Sequence, residues 1–149
     1  MCSAALGDVV FNLYVGTPQC EDLDELSAAQ RAMVAASGRR VGVLSVIEPG
    51  LDLPSADVRR HGAELNKEVE GVVAASSTVI EGAGFWMSAA LSLVNTVLLI
   101  GSTQRPNRIY RDLDDGIAWI ADHIDGADAD QIAEAFEAWR QSVKALRAG

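Results

Sequence analysis

Short runs of β-branched residues alternate with helical patterns along this chain, and the alternation limits the folds that it can adopt. The segment 41–47 reads VGVLSVI, a continuous apolar run that is typical of a strand buried on both faces. Similar patterns predict strands at 8–15, 72–80 and 108–111. Because alternating strands and helices with short connections favour a mostly parallel sheet, we predict an α/β fold with about four strands.

Start and stop signals place helices between these strands. Thr17 and Pro18 are typical of a helix start, and Gly38 is typical of a helix end. Further helices are predicted over 55–70 and 84–101, and Asp112 has the position of an N-cap residue before a fourth helix. The 149 residues therefore form a single domain, 1–149, whose repeating β-α core spans 8–124.

An additional amphipathic helix is predicted over 128–148. Its large apolar residues recur at intervals of four and three and form a heptad seam, namely Ile132, Phe136, Trp139, Val143 and Leu146. The seam needs an apolar partner, which is either its own domain or a second copy of the chain. Since this helix and the apolar third helix carry more apolar surface than a four-stranded sheet needs, we predict a homodimer. The predicted interface residues are Trp86, Ile132, Phe136, Trp139 and Val143.

The third predicted helix contains eighteen residues without a charge, 84–101, which is close to the length of a membrane span. Its polar residues Ser88, Ser92, Asn95 and Thr96 fall on one narrow stripe. A soluble α/β domain uses such a helix when it is packed on several sides. We therefore predict no membrane association.

The chain is acidic, with 21 Asp and Glu against 12 Lys and Arg and a net charge of -9. Nucleic acids and anionic membranes attract basic surfaces, so neither is an expected partner. Cys2 and Cys20 lack the spacing of a zinc site and are too few for a disulfide scaffold. The first residues lack the pattern of a secretory signal. We expect a cytoplasmic protein without a metal or other cofactor.

Three carboxylates follow the second predicted strand: Glu48, Asp52 and Asp57. Open α/β sheets bind ligands at the carboxyl ends of their strands, so an acid-base pair could lie there. Turn and cap chemistry also accounts for all three residues, and we favour that interpretation.

Gly82 and Gly84 lie between a predicted strand and the third helix, where anions often bind. Met87 occupies the position of the third glycine of a dinucleotide-binding fingerprint, and Glu81 would repel a phosphate. We interpret the two glycines as residues that let a bulky helix pack close to the sheet.

The order of these elements resembles the SpoIIAA-like fold of STAS (anti-sigma-factor antagonist) domains and of short stand-alone bacterial STAS-like proteins. The resemblance covers 8–124 and rests on VGVLSVIEPG, IEGAGFWMSAALSLVNTVLLI and RIYRDLDDGIAWI. It implies a non-catalytic module that binds a partner protein and is switched by phosphorylation in an Asp-Ser-Ser/Thr-Gly motif. This chain lacks that motif, and Ser55 is its nearest equivalent, so no phosphorylation site is carried over.

Two hypotheses follow. The first is a non-catalytic, dimeric STAS-like regulatory or protein-interaction module, since no catalytic motif such as G-x-S-x-G is present. The alternative is a small-ligand-binding protein or enzyme that uses Glu48, Asp52, Asp57, Gly82 and Gly84.

Overall fold

The computed structural model describes residues 1–101 and 104–149. In this part of the chain, five strands form one sheet in the order β1-β2-β3-β4-β5. They are β1 (Cys2–Leu6), β2 (Val9–Tyr14), β3 (Val41–Ile47), β4 (Val73–Ile80) and β5 (Asn107–Tyr110). Strands β2 to β5 are parallel, and β1 is antiparallel to β2. The predicted α/β fold with a mostly parallel sheet is confirmed.

The helices are α1 (Cys20–Ser37), α2 (Ala56–Glu68), α3 (Gly84–Ile100), α4 (Leu113–His123) and α5 (Ala129–Ala148). Successive strand residues point to opposite faces of the sheet, so each face has its own core. Val10 and Val43 belong to the core beneath α1, whereas Phe11 and Leu44 belong to the core beneath α4 and α5. Helices α1, α2 and α3 therefore cover one face, and α4 and α5 cover the other.

Two features of the amino-terminal region differ from the prediction. The segment CSAAL forms β1, which pairs with β2 through a turn in which Gly7 has a φ of 56°. Helix α1 begins at Cys20, because Gln19 and Asp22 form a reciprocal capping box. The Thr17 hydroxyl, predicted as the cap, instead donates a hydrogen bond to the Asp52 carbonyl at 2.9 Å.

Helix α5 packs onto its own domain. Ile132, Phe136 and Val143 are buried in the core that includes Phe11. The Phe136 ring meets the Phe11 ring edge-on, with 5.7 Å between the ring centroids, and Trp139 lies beside both rings. These predicted interface residues thus lie inside the chain's own core. The homodimer stays a prediction.

Helix α3 turns its small polar residues outward. Ser88, Ser92, Asn95 and Thr96 are all exposed, whereas Met87 packs against the sheet. Within the described residues, no helix combines the length and the apolar character needed to cross a membrane.

Candidate functional site

A cavity of about 260 Å³ lies between the sheet and the three helices α1, α2 and α3. Apolar side chains from all three helices form the wall opposite the sheet, including Leu23, Leu26, Val58, Leu65, Val94 and Val97. A mainly apolar cavity with a few polar groups is the usual form of a small-molecule site.

The sheet side of this cavity carries three polar residues in register. Asn12 on β2 is the partner of Ser45 on β3, and Ser45 is the partner of Thr78 on β4. All three line the cavity, and we call them the polar row. A sheet face beneath helices is normally apolar, because a buried polar group without a partner destabilises the fold. The polar row therefore requires hydrogen-bond partners.

The chain itself supplies some of these partners. The Ser3 hydroxyl donates to Asn12 Oδ1 at 3.0 Å, and Asn12 Nδ2 donates to Ser45 Oγ at 3.3 Å. The Ser45 side chain also interacts with the Tyr14 hydroxyl. Burial raises the pKa of Tyr14 to about 12, the Asp22 charge adds to the rise, and the Ser45 hydrogen bond opposes it. Tyr14 is therefore an uncharged phenol at neutral pH.

Helix α1 places two further polar side chains on the cavity. Ser27 and Gln30 are each only 5% exposed, and both line it. Ser27 Oγ has no hydrogen-bond partner among the described residues. An unpaired buried hydroxyl costs about 1–3 kcal/mol, so this position favours a partner supplied from outside the chain.

Arg105 borders the cavity near β5 and is buried. Its Nη1 and Nη2 donate to the backbone carbonyl and Oδ1 of Asn66 at 2.9 and 2.8 Å, and its Nε donates to Ser76 Oγ at 3.3 Å. Glu70 lies 3.5 Å from Nη1. Burial lowers the pKa of Arg105, and the Glu70 charge opposes this. Because every guanidinium nitrogen already donates within the protein, Arg105 joins α2 to β4.

The loop between β3 and α2 borders the cavity on another side. Trp86, at the start of α3, lines the cavity and donates from Nε1 to the Leu51 carbonyl at 2.8 Å. Gly82 has a φ of 128°, and a Cβ there would lie 3.0 Å from Pro49 Cβ. Gly82 thus makes room for the β3–α2 loop and for Trp86, and the predicted packing of the helix against the sheet stays a prediction. Gly84 has open space around it and needs glycine only for its φ of 69°.

The structure separates the three carboxylates that the sequence suggested as a cluster. Glu48 forms ion pairs with Arg140 and Arg147 of α5. Asp52 is exposed and lines the cavity, whereas Asp57 is exposed and pairs with Arg60 at 3.4 Å on α2. Gly82 and Gly84 do not line the cavity. Of the predicted ligand-site residues, Asp52 is therefore the one that borders it.

Sequence reasoning missed the polar row, Tyr14, Ser27 and Gln30. The available signal was a polar residue at the centre of an apolar strand, Asn12 in VVFNLY and Ser45 in VGVLSVI. Such a residue requires either a buried partner or a ligand.

Among the described residues, no group of three or more His, Cys, Asp or Glu side chains is placed to hold a metal ion. Comparisons with protein-family models, with curated proteins and with solved structures find no match for this chain. The STAS-like resemblance stays a prediction, and a function has to be argued from the cavity.

Proposed function

We propose that this protein binds a small, mainly apolar molecule in the cavity between its sheet and α1, α2 and α3. The observation that carries the proposal is a cavity of about 260 Å³ whose lining includes the buried Ser27, a residue whose hydroxyl has no partner among the described residues. Apolar walls in contact with water and an unpaired buried hydroxyl both destabilise the fold. A bound molecule would cover the apolar walls of the cavity and supply a hydrogen-bond partner for the Ser27 hydroxyl.

The volume sets the size of this molecule. An apolar cavity of about 150 Å³ admits a benzene ring. A cavity of about 260 Å³ is therefore suited to a ring with a short side chain, such as propylbenzene, or to an aliphatic molecule of similar size.

We further propose that binding is not accompanied by catalysis. The described residues that line the cavity include no His, Cys or Lys. Arg105 uses its nitrogens within the protein, and Arg59 and Asp52 are exposed. Apart from Arg105, the buried polar groups are hydroxyls and amides, which orient a ligand without acting as an acid-base pair.

The test compares propylbenzene binding by the wild-type protein and by Ser27→Leu, using isothermal titration calorimetry and thermal unfolding. Leucine removes the unpaired hydroxyl and occupies part of the cavity. We expect Ser27→Leu to raise Tm and to weaken propylbenzene binding at least about tenfold. Ala28→Leu is the matched control, because Ala28 is exposed on the same helix. It should leave the affinity unchanged.

Two results would contradict the proposal. One is a wild-type protein that shows no saturable binding of propylbenzene. The other is Ser27→Leu that is folded and binds propylbenzene as tightly as the wild type. A native mass spectrum of the untreated protein adds an independent measurement, since a retained ligand would appear as extra mass that is lost on denaturation.

A second candidate, the predicted homodimeric interaction module, has support from the outer face of α3. Phe85 is 90% exposed and Leu99 is 78% exposed on this helix. Large exposed apolar side chains favour protein contacts. Light scattering should show a dimer that Phe85→Glu converts to a monomer. A wild-type monomer at micromolar concentration would count against this candidate.

A further inference from the structure

The hydrogen bonds of the polar row have a direction. The Ser3 hydroxyl donates to Asn12 Oδ1, which leaves the Asn12 amide nitrogen to donate to Ser45 Oγ. Ser45 Oγ accepts this bond, so its own proton is available for the Tyr14 hydroxyl oxygen. At the end of this chain of bonds, the Tyr14 proton remains to be donated.

Tyr14 lines the cavity, so an occupant of the cavity can receive this proton. Ser27 lines the same cavity from α1, and its hydroxyl also lacks a partner among the described residues. A ligand group with two acceptor lone pairs, such as a carbonyl oxygen, can accept a hydrogen bond from a hydroxyl such as that of Tyr14 or Ser27.

The charges near Tyr14 argue against an anionic ligand group. The Asp22 carboxylate is close enough to contribute to the raised pKa of Tyr14, so it also disfavours a second negative charge there. Arg105 donates to Asn66 and Ser76, and Arg59 is exposed. Arg59 lines the cavity as an exposed side chain, and no cation among the described residues is seen in contact with Tyr14, so a carboxylate placed beside Tyr14 would lose water without gaining an ion pair there.

We propose that the ligand of this cavity carries an uncharged carbonyl group, as in a ketone, ester or amide, that accepts a hydrogen bond from the Tyr14 hydroxyl. This inference rests on the proposed function. The apolar remainder of the ligand packs against Val94 and Val97 of α3, which line the same cavity.

The experiment uses three probes of similar size: propylbenzene, propiophenone and 3-phenylpropanoate. Propiophenone adds a carbonyl to the propylbenzene skeleton, and 3-phenylpropanoate adds a carboxylate. Calorimetry with the wild-type protein should give a propiophenone affinity at least about tenfold above that of 3-phenylpropanoate. Tyr14→Phe should weaken propiophenone binding about three- to tenfold, which corresponds to one neutral hydrogen bond. It should change propylbenzene affinity by less than about twofold.

An infrared measurement provides a second readout. The carbonyl stretching band of bound propiophenone should lie at lower frequency in the wild type than in Tyr14→Phe, because a hydrogen bond weakens the C=O bond. Tyr110→Phe is the matched control, since Tyr110 packs with the core beneath α4 on the other face of the sheet. It should reproduce the wild-type band and affinities.

The two proposals fail in different ways. If propylbenzene does not bind, the proposed function is wrong, and this inference with it. If propylbenzene binds but Tyr14→Phe changes neither propiophenone affinity nor its carbonyl band, only the assignment of Tyr14 is overturned. If 3-phenylpropanoate binds more tightly than propiophenone, the uncharged carbonyl is overturned.

Discussion

The Arg140 guanidinium donates hydrogen bonds to both carboxylate oxygens of Glu81, and this bidentate pair joins α5 to the end of β4. Arg140 also lies 3.5 Å from Glu48, which directly follows β3, and Arg147 lies 3.4 Å from the other Glu48 oxygen. The hydrogen bond to Glu81 raises the pKa of Arg140, so the guanidinium stays charged. Two carboxylates at the carboxyl edge of the sheet therefore hold the last helix in place.

Replacing Arg140 with Met should destabilise the protein. Glu81 and Glu48 would remain partly buried and close together without their shared cation, and Arg147 alone would face Glu48. We expect the free energy of unfolding, measured with urea, to fall by about 2–4 kcal/mol. Amide hydrogen exchange in α5 should become faster. Lys144→Met is the control, because Lys144 is exposed on the same helix. Equal stability of the two variants would show that the ion pairs contribute little.

Much of the fold could be predicted from the sequence because local signals agreed with it. The apolar run of β3 matches Val41–Ile47, Gly38 ends α1 in the left-handed conformation, and Asp112 caps α4. Strand β1 was missed because CSAAL contains no β-branched residue. Its conformation comes from pairing with β2, and such tertiary context overrides local propensity.

The candidate site was much less predictable. Asn12, Ser45 and Thr78 come from three separate strands, and only the register of the sheet aligns them. A single sequence does not specify that register or the volume left between three helices and a sheet. The carboxylate Glu48 is at the predicted edge of the sheet, but its partners come from α5, ninety-two and ninety-nine residues away along the chain. Contacts at such separations leave no local pattern.

Two glycines should tolerate no side chain. A Cβ at Gly42 would lie 2.6 Å from Ile124 Cγ1, and a Cβ at Gly116 would lie 2.5 Å from Val79 Cγ2. Replacing either glycine with Ala should lower the free energy of unfolding by about 1–3 kcal/mol, because packed side chains must shift. Gly71→Ala is the control, since a Cβ there meets nothing within 4 Å. If all three variants are equally stable in urea, the helix α4 interface is looser than the structure indicates.

Arg105 should be important for stability although it is a surface-type residue in the sequence. Replacing it with Met would leave the Asn66 carbonyl and the Ser76 hydroxyl without their donors, and we expect a loss of about 2–4 kcal/mol in the free energy of unfolding. Arg105→Lys should recover only part of the lost free energy of unfolding, because an ammonium group does not reproduce the planar set of N–H donors of a guanidinium. Arg108→Met, at an exposed position, is the control. Full recovery with Lys would contradict the assigned geometry.

The raised pKa of Tyr14 predicts a loss of stability in alkali. The phenol ionises with an ordinary pKa of 10.0 in the unfolded chain and with a pKa of about 12 in the folded protein. The folded state therefore holds this proton more tightly, and its contribution to stability is complete below pH 10. As the pH rises from 10 to 12, up to about 3 kcal/mol of the free energy of unfolding should be lost through this group.

Comparison with Tyr14→Phe isolates this effect from the titration of Lys and Arg. Urea unfolding of the two proteins at a series of pH values should give free energies of unfolding that run parallel below pH 10. Above pH 10, the wild-type value should fall relative to that of Tyr14→Phe by up to about 3 kcal/mol, because the phenylalanine has no proton to lose. Tyr110→Phe should keep the wild-type loss, and its remaining phenolate absorbance should develop only at the higher pKa of Tyr14 or on unfolding. Parallel wild-type and Tyr14→Phe curves up to pH 12 would show that the Tyr14 hydroxyl is well solvated. A well-solvated hydroxyl would contradict its assignment as the donor of a hydrogen bond to a ligand carbonyl in the cavity.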